Sequence, residues 1–372
     1  MNQIKVLIID DSHVIHILLE KVISFHEEIT VIGNAYDGKE GVDLVKKLSP
    51  DVIIMDIGMP RMNGLEAIQE IMNDKPTPII VFSSSSKNIV DLGFQAIELG
   101  AVHMVEKPSV SDLSLLKDSI EESLIKAIKT FADFKVIRRM KKKTLTSQDN
   151  ELLVLKDSSK ILKTRKSLIT KEIDLDKNYF PIIGIAASTG GPQTIKSLIE
   201  DFSTKQVNTA VIIVQHMAEG FMQGFSDWLA TYSLIPVVMP QNGDTIKPNN
   251  IYVAPGEYHL IFSKEGYFSF LNSPPIQGIR PSADLMFSTL GETFKERVIA
   301  VILTGMGSDG TQGLQKVKEN NGYIISQDEE SSLIFGMPKS AIEAGLVNKI
   351  LNITEIPGYL EKLCNDWFKV RQ

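Results

Sequence analysis

Short apolar runs alternate with amphipathic stretches along most of the chain, and the alternation occurs twice. In the first series, residues 4–9, 30–35, 52–55, 79–82 and 101–105 are dense in Ile and Val, as strands buried on both faces are. Between them, residues 14–25, 38–48, 65–73 and 89–99 carry apolar positions at helical spacing, and a last stretch of this kind runs from 113 to about 134. Strands alternating with helices predict a doubly wound parallel sheet whose ligand sites lie beyond the carboxyl ends of the strands. In the second series the strands are expected at 182–187, 210–214, 251–254, 298–303 and 323–326, with helical stretches between several of them. The fold class is therefore α/β, with two doubly wound parallel-sheet domains: an N-terminal five-stranded one over 1–125, its last helix reaching about 134, and a C-terminal one over 179–372.

The seam between the series is marked by charge. Residues 135–178 hold thirteen Lys and Arg against six Asp and Glu, an excess of +7, so the rest of a chain of net charge −7 carries −14. This segment has no Gly, Pro or aromatic residue and no sustained periodicity, which predicts a solvated, partly helical linker in preference to a nucleic-acid stripe. The acidic balance of the whole chain likewise argues against nucleic acid as a partner. No apolar stretch approaches ~20 residues and residues 1–6 lack a signal pattern, so membrane insertion is not expected and the cytoplasm is. The single cysteine, Cys364, has no partner for a disulfide or a zinc site and is assigned to the last helix.

Polar residues punctuate the predicted strand ends of the first series. Asp10 and Asp11 follow the first strand, Asp56 the third, Ser83 to Ser86 the fourth, and Lys107 the fifth. Carboxylates gathered on one rim repel each other unless a cation sits among them, and hard oxygen ligands suit Mg²⁺. Asp56 is then a candidate acyl-phosphate acceptor, Lys107 a neutraliser of phosphate oxygens, and the Ser83 hydroxyl a donor to one of them. A single Asp of this kind is usually a strand-end cap; the whole set at matching strand ends is not.

The second series has its own strand-exit set. Ser188 lies where the apolar run 181–187 stops and Thr189-Gly190-Gly191 turns into a stretch opened by Pro192, so its hydroxyl is expected beside a helix N-terminus whose free N–H groups suit an oxyanion. A phosphate-binding or merely reversing turn is the plainer reading of that corner alone. His216 follows the run 211–215, and Asp309 follows 298–303 through Thr304-Gly-Met-Gly-Ser. Serine, a histidine that accepts its proton and a carboxylate that orients the imidazole constitute acyl-transfer chemistry. Their order, Ser, His, Asp, differs from that of α/β-hydrolases, chymotrypsin-like enzymes and subtilisins. Asp284 is a rival acid, although Arg280 four residues earlier is placed to pair with it; His259 is a candidate lining residue, and His13, His16, His26 and His103 read as surface or packing residues.

These motifs carry a resemblance. Residues 1 to about 125, with Asp10-Asp11, Asp56-Ile-Gly-Met-Pro60, Asn63-Gly64, Ser83 and Lys107-Pro108, look like a two-component receiver domain. The remainder resembles the catalytic domain of the chemotaxis receptor methylesterase family through Ala187-Ser-Thr-Gly-Gly191, Gln215-His-Met217, Val253-Ala-Pro-Gly256 with His259, Arg280-Pro-Ser-Ala-Asp284, and Leu303-Thr-Gly-Met-Gly307 with Asp309-Gly310. The resemblance covers nearly the whole chain. It implies that a chemotaxis histidine kinase phosphorylates Asp56 with Mg²⁺ held by Asp10, Asp11 and Asp56. It also implies that Ser188 is nucleophile, His216 base then acid and Asp309 the orienting carboxylate, with the Met306 N–H and the Thr189 region forming the oxyanion hole. The implied reaction cleaves glutamate γ-methyl esters on methyl-accepting chemoreceptors, releasing methanol, and deamidates receptor glutamines, with no cofactor for the hydrolysis. Ala186 and Ala218 depart from the family's usual Gly and Pro, touching backbone geometry and no reacting group. An adaptor without activity, a transcriptional regulator and a relative serving another sensory array are the alternatives; the intact Ser-His-Asp set opposes the first, and the acidic α/β second half the second. The unphosphorylated receiver is expected to pack over the Ser188 cleft.

Overall fold

The computed structural model describes residues 3–84, 86–107, 121–132, 179–205 and 207–369. The expected linker 135–178, and residues 113–120 and 133–134 of the helix expected over 113–134, lie outside the described residues.

The first series folds as β1 (Ile4–Ile9), α1 (His13–Ile23), β2 (Ile29–Ala35), α2 (Gly38–Leu48), β3 (Val52–Met55), α3 (Gly64–Asp74), β4 (Ile79–Ser83), α4 (Lys87–Leu99) and β5 (His103–Glu106). A π turn at Glu121–Ile125 leads into α5 (Lys126–Phe131). The five strands pair in parallel in the order β2-β1-β3-β4-β5. Local chemistry sets the helix starts. Asp37 accepts the Glu40 N–H at the head of α2, and Asn63 with Glu66 forms a reciprocal capping box on α3. Because β1, β3 and β4 have helices on both faces, their side chains are buried without alternation, as the Ile and Val runs required.

The second series supplies β6 (Ile182–Ala187), α6 (Gly191–Phe202), β7 (Ala210–Gln215), α7 (Glu219–Tyr232), β8 (Val237–Val238), β9 (Asn250–Val253), β10 (His259–Phe262), β11 (Phe268–Leu271), α8 (Ala283–Phe294), β12 (Val298–Ile302), α9 (Thr311–Glu319), β13 (Tyr323–Gln327), α10 (Met337–Glu343), β14 (Lys349–Leu351) and α11 (Ile356–Lys369). Seven strands pair in parallel in the order β14-β13-β12-β6-β7-β9-β8, while β10 and β11 form a separate antiparallel hairpin. Strand β6 is flanked by β7, which follows it, and by β12, which returns much later. The order thus reverses at β6, and the crevice beyond the carboxyl ends of β12, β6 and β7 is where such a sheet presents a site.

The hairpin, β8 and β14 were not expected from the pattern. Cys364 is fully buried in α11, and its burial pushes the thiol up to about 12, which makes it an inert core group. Among the described residues no helix is long and apolar enough to cross a membrane.

Candidate active site

Ser188, His216 and Asp309 leave the carboxyl ends of β6, β7 and β12, three adjacent strands. The backbone ties them together: the His216 N–H donates to Ala187 O at 3.0 Å, and the Ser188 N–H donates to Thr304 O at 3.0 Å. Gln215, polar at the end of an apolar strand, donates its amide to Ser188 O at 2.8 Å and to His216 O at 2.9 Å. Thr304, fully buried, donates its hydroxyl to Thr189 O at 3.0 Å and its N–H to Gln327 Oε1 at 2.8 Å. Sequence reasoning passed over Gln215 and Thr304; a lone polar side chain closing an apolar strand was the signal. Gly305 is required by contact: a Cβ there would lie 2.8 Å from Ser188 Cβ and 2.3 Å from Met337 Sδ.

His216 Nε2 lies 2.9 Å from Asp309 Oδ2, with both side chains nearly buried. Burial alone would raise the Asp309 carboxyl. The contact with His216 and the N–H groups of Ala283 and Asp284 outweigh it and hold the group at about 2. Nε2 is thus the nitrogen at hydrogen-bonding distance of the carboxylate, although its N–H is not aligned on that oxygen, and Nδ1 is the nitrogen left to take a proton. That atom is buried and has no hydrogen-bond partner, so the Ser188–His216 hydrogen bond is not made in this arrangement. Such bonds commonly close only around substrate. Thr189 and Met306 have no acceptor for their backbone N–H among the described residues, which leaves both donors free for an oxyanion.

Two expectations are corrected here. Asp284 does not pair with Arg280: α8 begins only at Ala283, so the two do not share a helix face, and Arg280 reaches toward Ser273 O at 3.5 Å. Asp284 instead accepts the Gly313 N–H at 2.9 Å, and burial, with Asp309 adding repulsion, raises its carboxyl. His259 does not line the cleft; it is fully buried behind Asp309. The remaining histidines are packing groups, as expected. His16 is bonded to Asp10 O at 2.7 Å, His13 stacks on Tyr36, and His103 packs on Phe131, where burial pushes it down to about 4.

On the receiver rim, carboxylate oxygens of Asp10, Asp11 and Asp56 lie within 4.8 Å of one another. Lys107 Nζ sits 2.7 Å from Asp10 and 3.0 Å from Asp56. Burial, with repulsion from Asp56, raises the Asp10 carboxyl although Lys107 opposes it. Three hard oxygen donors offset by one ammonium fit a divalent cation such as Mg²⁺. The Ser83 hydroxyl, at the end of β4, is buried with no partner and is thus an unused donor on the same rim.

The two sites are joined by a packed interface. Helix α4 seats on α7: Phe94 stacks on Trp228 with centroids 5.1 Å apart, and a Cβ on Gly224 would strike Val90 at 2.2 Å. Glu98 of α4 accepts from Trp228 Nε1 at 3.1 Å and from the Tyr232 hydroxyl, and lies 3.4 Å from Lys196 Nζ. The cleft containing Ser188, Gln193 and His216 is walled on its other side by Met72, Asn73 and His103 of the receiver, enclosing about 560 Å³.

A family model described as CheB methylesterase matches residues 183–360, and one described as response regulator receiver domain matches residues 6–121. A protein-glutamate methylesterase/protein-glutamine glutaminase of Pyrococcus horikoshii is 36% identical over 362 residues, covering 96% of this chain and 92% of the relative. That of Methanococcus maripaludis is 37% identical over 363 residues, covering 96% of this chain and 97% of the relative. The crystal structure of the Thermotoga maritima CheB methylesterase catalytic domain is 37% identical, covers 50% of this chain and 99% of its own, and aligns with a TM-score of 0.48.

Proposed function

The chain belongs to the protein-glutamate methylesterase/protein-glutamine glutaminase family, and we propose that its Ser188 hydrolyses glutamate γ-methyl esters on methyl-accepting chemoreceptors, under control of phosphorylation at Asp56. The observation that carries the chemistry is the 2.9 Å contact between His216 and an Asp309 held ionised. Once Nε2–H aligns on the carboxylate, His216 Nδ1 takes the proton of Ser188 as Oγ bonds to the ester carbonyl carbon. The N–H groups of Met306 and Thr189 hold the oxyanion. His216 returns the proton to the departing methoxide, methanol leaves, and water repeats the sequence on the glutamyl ester, freeing glutamate and Ser188. A receptor glutamine enters the same cycle with ammonia as leaving group.

In the receiver, a chemotaxis histidine kinase supplies the phosphoryl group. Asp10, Asp11 and Asp56 would hold Mg²⁺, which shields the charge of the incoming phosphoryl group when bound. Lys107 then pairs with phosphate oxygens, and the unpartnered Ser83 hydroxyl donates to one of them. That new bond competes with the packing beside α4, the helix that follows Ser83 directly. The unphosphorylated interface is favoured by burial of Phe94 and Trp228 and by the Glu98 contacts; phosphorylation shifts the population toward an open cleft.

The experiment is methanol release from methylated receptor membranes with and without a small phosphodonor. Phosphodonor is expected to raise the rate at least ~10-fold, as a population shift of this size requires. Asp56→Ala or removal of Mg²⁺ leaves the basal rate and abolishes the increase. Glu98→Gln, which weakens the interface on the receiver side, raises the basal rate. A full phosphodonor response in Asp56→Ala would refute the regulatory reading.

A further inference from the structure

Behind the His216–Asp309 contact lies a second layer of buried polar groups that continues inward for two more residues. Ser282 is the residue preceding α8, in extended conformation, where a serine ordinarily caps its own helix by accepting an N–H bond. Here it does not. Its hydroxyl donates to Asp309 Oδ1 at 2.9 Å, and the vacant capping place is filled by Asp309 itself, which accepts the N–H of Ala283 at 2.7 Å on Oδ2 and that of Asp284 at 3.1 Å on Oδ1. Oδ1 thus accepts two hydrogen bonds and Oδ2 one, and His216 Nε2, 2.9 Å from Oδ2, occupies the fourth place. A carboxylate offers about four acceptor directions, so none is left over, and rotating the group would break bonds on both oxygens.

The orientation of Ser282 is set in turn by His259. Both residues are fully buried. The Ser282 N–H, which has no place in the α8 ladder, donates to His259 Nδ1 at 3.0 Å, and His259 Nε2 lies 3.2 Å from Pro274 O. A nitrogen that receives an N–H must carry a lone pair, and one that faces a carbonyl must carry the hydrogen, so His259 accepts at Nδ1 and donates at Nε2. Substituting an apolar side chain at 259 would leave the Ser282 N–H buried and unpaired, a cost the chain escapes only by moving the peptide.

We propose that His259 and Ser282 are positioning residues of the reaction: through Pro274 O, His259, Ser282 and Asp309, the β10–β11 hairpin fixes the carboxylate that orients His216. This rests on the reading of Ser188, His216 and Asp309 as the hydrolytic set and deepens it. Neither residue touches the substrate. Their effect is on how often His216 presents Nδ1 as a base, which appears in kcat and not in substrate affinity.

The test uses the full-length protein with phosphodonor, methylated receptor membranes, and proton NMR of the His216 Nε2–H. Ser282→Ala and His259→Leu are each expected to lower kcat at least ~10-fold, in line with one hydrogen bond to a charged group, with KM within about two-fold. Both should move the His216 Nε2–H resonance. His259→Asn, whose side-chain oxygen can accept near the place of Nδ1, is expected to restore most of the rate. Should His259→Leu not fold, Ser282→Ala and His259→Asn decide. A wild-type kcat and an unmoved resonance in Ser282→Ala, or a His259→Asn protein as impaired as a leucine variant that folds, would overturn the proposal. Failure of the underlying reading looks different: Ser188→Ala would then keep its methanol release.

Discussion

Ser188→Ala protein, given methylated receptor and phosphodonor, is expected to release methanol at least about ten thousand-fold more slowly than the wild type, while still accepting phosphate on Asp56. The magnitude follows from removing the nucleophile from a set that works as one unit: the donors at Met306 and Thr189 remain, but no Oγ is present to form the ester. The survival of phosphorylation follows from the chain's organisation. Asp10, Asp56, Ser83 and Lys107 belong to the β2-β1-β3-β4-β5 sheet, and Ser188 belongs to the other. The folded state should be unaffected, since the Ser188 N–H and C=O carry its structural bonds, to Thr304 and from Gln215 and Gly191. Methanol measured alongside phosphoprotein content, on the same preparation, checks both halves.

Asp309→Asn is expected to cost about a thousand-fold or more in kcat and to destabilise the fold as well. All four partners of the carboxylate, at Ser282, Ala283, Asp284 and His216, are donors. An amide must turn its NH₂ toward one pair of them. Turned toward His216, it leaves the Ala283 N–H unpaired and drives the imidazole to the opposite tautomer, with Nδ1 protonated and useless as a base. Turned toward Ser282, it leaves the Asp284 N–H unpaired and removes the charge that stabilises the imidazolium. The pH dependence has a definite sign. A carboxyl held at about 2 in the folded chain, against about 3.9 unfolded, contributes stability that is complete above the unfolded value and is lost as pH falls from about 4 toward 2. Melting temperatures over that interval should therefore fall less steeply in Asp309→Asn than in the wild type.

The contrast between what the pattern revealed and what it hid has a physical basis. Strands β1, β3 and β6 were legible to the residue because helices cover both their faces, so burial writes an apolar run, broken only by Lys5 near the start of β1. That the rim carboxylates, Ser188, His216 and Asp309 gather at strand exits was legible for a related reason: in a parallel sheet, the polar residues just beyond such runs share one rim. Strands β8 and β14 are short, and the β10–β11 hairpin mixes polar and apolar residues, so none writes a periodic signal. Arg280 and Asp284 misled because a spacing of four implies contact only within a helix, and the helix starts between them. The identity of the histidine nitrogen facing Asp309, the surrender of the Ser282 cap and the seating of Val90 on Gly224 depend on tertiary approach, which one sequence does not display.

The contact between α4 and the second sheet's helices has the same character. The apolar stack of Phe94 on Trp228 and the convergence of Trp228, Tyr232 and Lys196 on Glu98 join residues about a hundred positions or more apart. Fully burying a side chain such as Phe94 stabilises an interface by roughly 1.5–3 kcal/mol, so on the proposed regulation a competing phosphoryl contact is of comparable size.

The most direct measurement stops turnover of methylated receptor with acid, in the presence of phosphodonor, and maps ester-linked receptor fragments on the enzyme by peptide mass spectrometry. The expected result is a glutamyl ester on the peptide bearing Ser188, absent from Ser188→Ala protein, which releases no methanol above background. An ester on another side chain, or methanol release at the wild-type rate by the Ser188→Ala protein, would contradict it.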